Sequence, residues 1–591
     1  MNTMKKMKLS KKVFALSLSI AILLPLLTAC TSETPQADPD ATSAQGDSQV
    51  SEPAAEGVTD GSESESNALP AGIDWTTHET FTWWTNSAAN DYYASYIDNP
   101  VIKYLEEKFN VTFVFEEPVS GSEVDSLSLM FGTSQYTDLV AMNQYQGSWD
   151  ELLEDGVIID IADYLDYMPN LCARMEADPG YKTALYNDEG QILSINSYPE
   201  ESTKPWCGLV YRRDILEEMT GGNVQFPSGK DEPETIADWD YMLPLFKEYF
   251  EKLGLVEYAP LILPYNGYFP AAELTDSYGV YPYNFYVDET TVYFGPAQDG
   301  WREYLGKMNE WYKAGYIYQD FASRTQDMFF QPNTSLLYGN AAGIWMGMLS
   351  HLGDVMSDPA SDVVYDVRPL KSPTAEGRTS ADQIKHTSPP SQGSGLIYIL
   401  TTACKNPEKL LAILDYMYSD EGGMLTMYGL TKDQIPADDT IYAANGLEEG
   451  AYWFDSSGSF VYNPLMDAVG GSLQSAYFAG EKIPGYIRNS YKTLAAADEV
   501  KNAYDKWCGG DDLTVKMPMP GISLTDEEEA ATKGITMDLF LYTVELAPQF
   551  IVGTKSLDDE SWNNYLAELE AIGLSLMLET NQTGYDRYLD R

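Results

Sequence analysis

Histidine is almost missing from this chain: three in 591 residues, His78, His351 and His386, far apart and without a His-x-x-x-His pair. No Gly-x-Ser-x-Gly elbow and no Gly-rich phosphate loop occurs either. These gaps remove the common nucleophile–base and His-metal patterns. Acidic residues number 90, so counting alone does not exclude a carboxylate pair of the glycosidase kind. Most of them read as solvated surface. Basic residues are few, 36 Lys and Arg, and the formal charge is −54. A field of that sign repels phosphate backbones and excludes nucleic acid as a natural partner.

Cysteine is also scarce. Beyond Cys30 there are Cys172, Cys207, Cys404 and Cys508, whose spacings match no metal site. They allow three complete disulfide pairings, and the sequence does not choose among these and free thiols. Residues Thr31 to Gly72 lack Phe, Trp, Tyr, Lys and Arg altogether but hold nine acidic residues. A segment of that composition cannot bury enough apolar surface to offset ordering, so 30–72 is expected to be a disordered acidic leash.

What the N-terminus does contain is Lys5, Lys6, Lys8, Lys11 and Lys12, then an apolar run from Val13 to Leu27. A basic start, a short apolar core and small residues at a cut are the parts of a secretory signal. The run falls short of the ~20 apolar residues of a comfortable membrane span. Leu27-Thr28-Ala29-Cys30 closely resembles the lipobox of bacterial lipoproteins, in which the cysteine is diacylated and becomes the first residue. Residues 1–29 then form the signal peptide, and Cys30 is the lipidation site. Two acyl chains hold a protein stably on a membrane where one does not.

The rest of the chain alternates strand and helix patterns. Thr80 to Trp84 reads as a strand opening into a polar loop. Asn99-Pro100 reads as a helix cap with proline at the first position, followed by Val101, Ile102, Leu105 and Phe109 at helical spacing. Val111–Phe115 and Asp138–Met142 are further strands, and Tyr286 to Phe294 resembles a hairpin. Asn406-Pro407 caps a helix with Gly422 as its expected stop. This alternation indicates an α/β fold with a largely parallel sheet. In such sheets ligands bind at the carboxyl ends of strands, which places Trp84, Asn86, Asp91, Asn143, Gln144 and Tyr145 on the binding rim. Of Trp83 and Trp84, alternation sends one into the core, and Trp84 is the one assigned to the cleft.

Aromatic residues are plentiful, with 12 Trp and 43 Tyr. Pyranose rings stack their CH faces on such side chains while their hydroxyls need Asn, Asp, Gln and Arg partners. Trp239, Trp301 and Trp562 sit in helix patterns and are read as core.

Several stretches resemble, in the same order, segments of the extracellular solute-binding lipoproteins of bacterial carbohydrate ABC importers. They are "LLEDGVIIDIADYLDYMPNL" from Leu152, "GLVYRRDILEEM" from Gly208, "MNEWYKAGYI" from Met308, "KNPEKLLAILDYMYSDEG" from Lys405 and the tail from Trp562 to Leu589. The resemblance implies a two-lobe periplasmic-binding-protein type II fold with hinge crossings at 196–207, 391–394 and 512–526. Lobe 1 is then 73–195 plus 395–511, and lobe 2 is 208–390 plus 527–591. It also implies ligand contacts at Trp206 near the first crossing, at Asn266 and Tyr268 in a maltodextrin-binding-like loop, and at Trp345 after a short strand. Trp453 in "AYWFD" completes the candidate set.

The expected protein is a lipid-anchored monomer on the outer face of the cytoplasmic membrane. It would capture a carbohydrate, an oligosaccharide by preference, and pass it to ABC permease subunits, without catalytic residues, metal or cofactor. Its rivals are a surface glycoside hydrolase or lyase and a binding protein for peptides or other polar solutes.

Overall fold

The computed structural model describes residues 72–86, 94–147, 149–202, 204–205, 207–263, 274–321, 336–337, 339–349, 352, 365–383, 391, 393–468, 483–491, 498–507 and 516–591. The chain separates into two units, Met1–Glu63 and Ser64–Arg591, and every described residue belongs to the second. Cys30, the leash up to Ala71, Asp91, Trp206, Asn266 and Tyr268 lie outside the described residues.

The described strands are β1 (Glu79–Trp84), β2 (Val111–Glu116), β3 (Leu139–Ala141), β4 (Ile195–Pro199), β5 (Cys207–Arg212), β6 (Ala259–Leu261), β7 (Phe285–Asp288), β8 (Thr291–Phe294), β9 (Ala342–Met348), β10 (Val367–Pro369), β11 (Ser394–Leu400), β12 (Tyr452–Phe454), β13 (Phe460–Tyr462), β14 (Tyr486–Ile487) and β15 (Lys516–Pro518). Six of them form one sheet in the order β14-β4-β11-β3-β1-β2, and four form another, β10-β5-β9-β6. A third sheet joins β15, β7 and β8, while β12 and β13 pair as a separate hairpin.

The opening βαβ unit shows how local residues build the first sheet. Asn99 caps the helix Pro100–Phe109 by accepting from the Val101 N–H at 2.9 Å, and proline occupies the first turn where no N–H is needed. The helix buries Val101, Ile102, Leu105 and Phe109, then ends at Asn110 in the left-handed region, φ 52°. Asparagine tolerates that conformation better than most residues. The turn delivers the chain to β2, parallel to β1.

Each large sheet owns a core. Around the first lie Trp83, Trp84, Phe113, Leu139, Tyr398 and Leu414. Around the second lie Trp239, Trp301, Trp311, Trp345, Trp507 and Trp562, which confirms the core reading of Trp239, Trp301 and Trp562. The helix Ile535–Val552 belongs to a stretch long and apolar enough to cross a membrane. Leu539, Ala547 and Phe550 on that helix are buried in the second core.

The chain passes from the first sheet to the second between Pro199 and Cys207, and returns between Pro369 and Ser394. The third passage departs from expectation. The helix Asp498–Trp507 already packs in the second core, with the Trp507 indole donating to the Leu209 carbonyl at 2.9 Å. The passage therefore falls between Ile487 and Asp498, not at 512–526, and residues 498–507 leave the first lobe. An amphipathic helix near a boundary does not reveal in sequence which of two cores receives it.

A second correction concerns Gly422. The helix begun at Pro407 stops at Met417, and the Ser419 hydroxyl accepts from the Gly422 N–H to cap a new helix, Asp420–Tyr428. Gly422 sits inside that helix because an added Cβ would run into the Tyr416 carbonyl.

Candidate ligand-binding site

In the first sheet β2 and β3 run parallel to β1 on either side of it, so the strand order reverses at β1. The antiparallel β11 and the parallel-running β4 and β14 complete the set. The carboxyl ends of β1, β3, β4 and β14 and the amino end of β11 consequently share one edge. All three passages to the second sheet leave from or return to this edge. In the second sheet the carboxyl ends of β6, β9 and β10 lie beside the amino end of β5, where the chain arrives. Strand reversal and converging carboxyl ends are what a ligand crevice requires in open α/β sheets.

The edge is lined by polar groups, several of which are already engaged. The Thr85 hydroxyl is 3.2 Å from that of Tyr398, and Trp83 meets the Tyr398 ring edge-on at 5.5 Å. Asn143 is exposed, with its side-chain oxygen accepting from the Ile397 N–H at 2.8 Å. Tyr145 is half-buried against Phe131, ring centroids 4.9 Å apart, and desolvation raises its hydroxyl pKa.

Two passages start side by side. The Glu200 N–H donates to the Ile487 carbonyl at 2.8 Å. Asn489 receives the Glu201 N–H and donates back to the Glu201 carbonyl, each at 3.2 Å. Ser490 N–H reaches the Glu200 carboxylate at 3.2 Å.

Next to Arg488 lies a cluster of rings. In the β12–β13 hairpin Tyr452 faces Tyr462 and Phe454 faces Phe460, so all four share one face. Asp455 closes the turn by accepting from Ser457 N–H and Ser459 N–H at 2.8 and 3.0 Å, with Gly458 at φ 82°. Phe460 stacks on Tyr491 at 4.9 Å and 27° and touches Tyr428 at the same distance. The Tyr428 hydroxyl donates to the Arg488 carbonyl at 2.7 Å, which ties the cluster to the third passage. Phe454 is 47% exposed at its outer end.

No family model matches the chain, and no curated protein matches it. Solved structures do. An HMO-binding ABC-transporter-associated solute-binding protein from Bifidobacterium longum infantis aligns over 86% of this chain and 99% of its own, at 15% identity and a TM-score of 0.65. The alginate-binding protein AlgQ2 aligns over 86% and 98%, at 19% identity and 0.60. The S. pneumoniae substrate-binding protein FusA, in complex with kestose, aligns over 86% and 99%, also at 19% and 0.60. The chain has the two-lobe solute-binding fold. At such identities the likeness concerns the fold, which agrees with the α/β architecture expected from the sequence.

Placed on the solute-binding fold, the sequence-derived candidates separate. Asn86, Asn143 and Tyr145 follow β1 and β3 at the carboxyl edge of the first lobe. Trp84 does not present a face there. It is 1% exposed, and its indole N–H donates to the Ser126 hydroxyl at 3.0 Å on the helix Glu123–Gly132. Its neighbour Trp83 is buried on the opposite face, against Phe115 and Tyr398. Both faces of the sheet are covered, so alternation sends both tryptophans inward. Trp345 is likewise corrected. It lies inside β9 opposite Val210, not after the strand, and is 2% exposed in the core of the second lobe.

Trp453 is half-buried on the hairpin face away from the ring cluster, opposite Val461. The rings of Phe454, Phe460 and Tyr491 were not among the sequence candidates. Two aromatic alternations flanking Asp455-Ser456-Ser457-Gly458 are the hairpin signal that could have found them. Among the described residues no group of three or more His, Cys, Asp or Glu could hold a metal ion.

Proposed function

We propose that this chain captures an oligosaccharide outside the cell and delivers it to the permease of an ABC importer. The observation that carries this reading is the convergence of all three inter-lobe passages on one strand-end edge, the arrangement for hinge closure around a ligand. Polar groups and half-exposed aromatic rings border that edge, the combination a sugar needs. Structures of the same fold include proteins described as HMO-binding and alginate-binding, and one in complex with kestose. Binding, not catalysis, is the role, and partner ATPases supply the energy.

The working body is held at the outer face of the cytoplasmic membrane as a monomer, by a diacylated Cys30 and the acidic leash. The segments between Pro199 and Cys207, between Gln383 and Ser394, and between Ile487 and Asp498 are the hinge passages. Asn86, Asn143 and Tyr145 contribute to the ligand rim from the first lobe. Asp91, by its place in the loop after the first strand, and Trp206, Asn266 and Tyr268, by resemblance, remain proposed ligand contacts.

A thermal-shift screen of the soluble body against oligosaccharides, peptides and polyamines tests this function. A ligand present at a hundredfold excess over its Kd adds about 2.7 kcal/mol to stability. Stabilisation by oligosaccharides alone supports the reading, and stabilisation only by peptides or polyamines overturns it. Release of reducing ends from any glycan in the panel would transfer the protein to the hydrolases.

A further inference from the structure

Arg488 stands apart from every other arginine among the described residues. The other eight each hold a carboxylate within ion-pair distance. Among the described residues Arg488 has no such partner, in a chain with 90 acidic and 36 basic residues. Its Nε is buried without an acceptor, and its one side-chain hydrogen bond, from Nη2 to the Tyr491 hydroxyl, is long at 3.4 Å. The guanidinium carbon lies 5.1 Å from the centre of the Tyr491 ring. That ring stacks on Phe460, and Phe454 extends the aromatic surface outward.

A packing role accounts for the buried part of the cluster, Met424, Tyr428 and Tyr452. It does not account for an uncompensated cation among the rings. A guanidinium donates through a planar fork that matches a carboxylate bidentately, and such charge-assisted pairs are stronger than bonds to neutral hydroxyls. Ring faces take the CH face of a pyranose. The two requirements meet in one chemical class, a sugar that carries a carboxylate.

Building on the oligosaccharide-binding role proposed above, we infer that Phe454, Phe460 and Tyr491, with Arg488 at their foot, form a subsite for an acidic sugar residue, a hexuronate or a sialate. The residue stacks on the exposed ring of Phe454, and its carboxylate pairs with Arg488. The subsite adjoins the passage between Ile487 and Asp498, so the remaining sugars run along the strand-end edge between the lobes. The net negative charge opposes such a ligand at long range. That field is screened beyond about 8 Å at physiological salt, whereas the contact pair is not.

The test is titration calorimetry of the full-length body with trigalacturonate, its methyl ester, sialyllactose and lactose. An acidic glycan should bind at least about tenfold more tightly than its neutral counterpart, a difference of about 1.4 kcal/mol. Arg488→Gln should erase that preference, bringing the acid-to-ester affinity ratio to about one, and Arg488→Lys should restore only part of it. Phe454→Ala, at an exposed position, should weaken acidic and neutral glycans together while the ligand-free Tm holds. Should Arg488→Gln lower the Tm, the acid-to-ester ratio of Arg488→Lys decides in its place. Equal binding of acids and esters, or a preference that survives loss of the guanidinium, overturns the subsite and leaves the oligosaccharide function standing. Binding of no glycan at all overturns both.

Discussion

Gly208 lies flat against the indole ring of Trp507, so close that an added Cβ would run into the ring, and the two residues come from segments almost 300 positions apart. This contact seats the helix Asp498–Trp507 on β5, immediately after the first passage between lobes. Gly208→Ala is therefore expected to destabilise the second lobe by ~1–3 kcal/mol, the usual cost of overpacking a close contact. Urea unfolding measures it. An unchanged midpoint would mean that the helix does not rest on β5.

Trp84 and Trp345 should behave as core residues. Each is almost fully buried, so truncation to alanine should cost ~3–5 kcal/mol of stability. The variant protein that still folds should bind ligand with little loss. A stable Trp345→Ala protein with weakened binding would return that residue to the ligand site.

Asp415 carries a pH dependence of its own. It is buried, and desolvation pushes its pKa up to about 6 even though it accepts from the Asn170 and Leu171 N–H groups and the Asn170 side chain. The folded protein therefore holds this proton at pH values where the unfolded chain, near the ordinary 3.9, has released it. Stability from this group is fully present below about pH 4, falls as the pH rises towards about 6, and is level beyond. The total is on the order of 3 kcal/mol at 1.36 kcal/mol per unit. Denaturant midpoints of the wild type minus those of Asp415→Asn, taken from pH 4 to 7, should show that slope. A flat difference would contradict the burial argument.

Cys207 and Cys404 are buried, and desolvation pushes both thiols up to about 12. Thiolate is the reactive form, so native protein at pH 8 should take up iodoacetamide at these two positions far more slowly than urea-unfolded protein does. Mass spectrometry of labelled peptides gives the comparison. Equal rates in the two states would show the thiols to be accessible.

Membrane attachment should depend on Cys30. The Cys30→Ala protein should stay out of the detergent phase on phase separation, while the parent partitions into it. Equal partitioning would remove the lipid anchor from the account.

How much of the fold and site was legible in the sequence depended on whether the cause was local. Asn99-Pro100 announced the helix Pro100–Phe109 because a cap and its first turn are contiguous in sequence. The β7–β8 hairpin was legible for the same reason. Gly422 misled because glycine serves two purposes, ending helices and admitting close neighbours, and only the second applies there. Trp84 and Trp345 misled because a strand end shows neither how many faces of its sheet are covered nor how far the strand runs. Arg488 could not be singled out at all. Its distinction is the lack of a carboxylate partner among the described residues, and partners are set by the fold.

Both cores are assembled from distant parts of the chain. The first sheet needs β11 and β14 beside strands that precede Pro199, and the second core needs Trp562, Tyr565 and Tyr585. A chain emerging from its N-terminus thus has neither core complete until residues near 490 and then 585 have appeared. A protease that nicks one finished passage, in turn, releases nothing, because two other strands of backbone still join the halves.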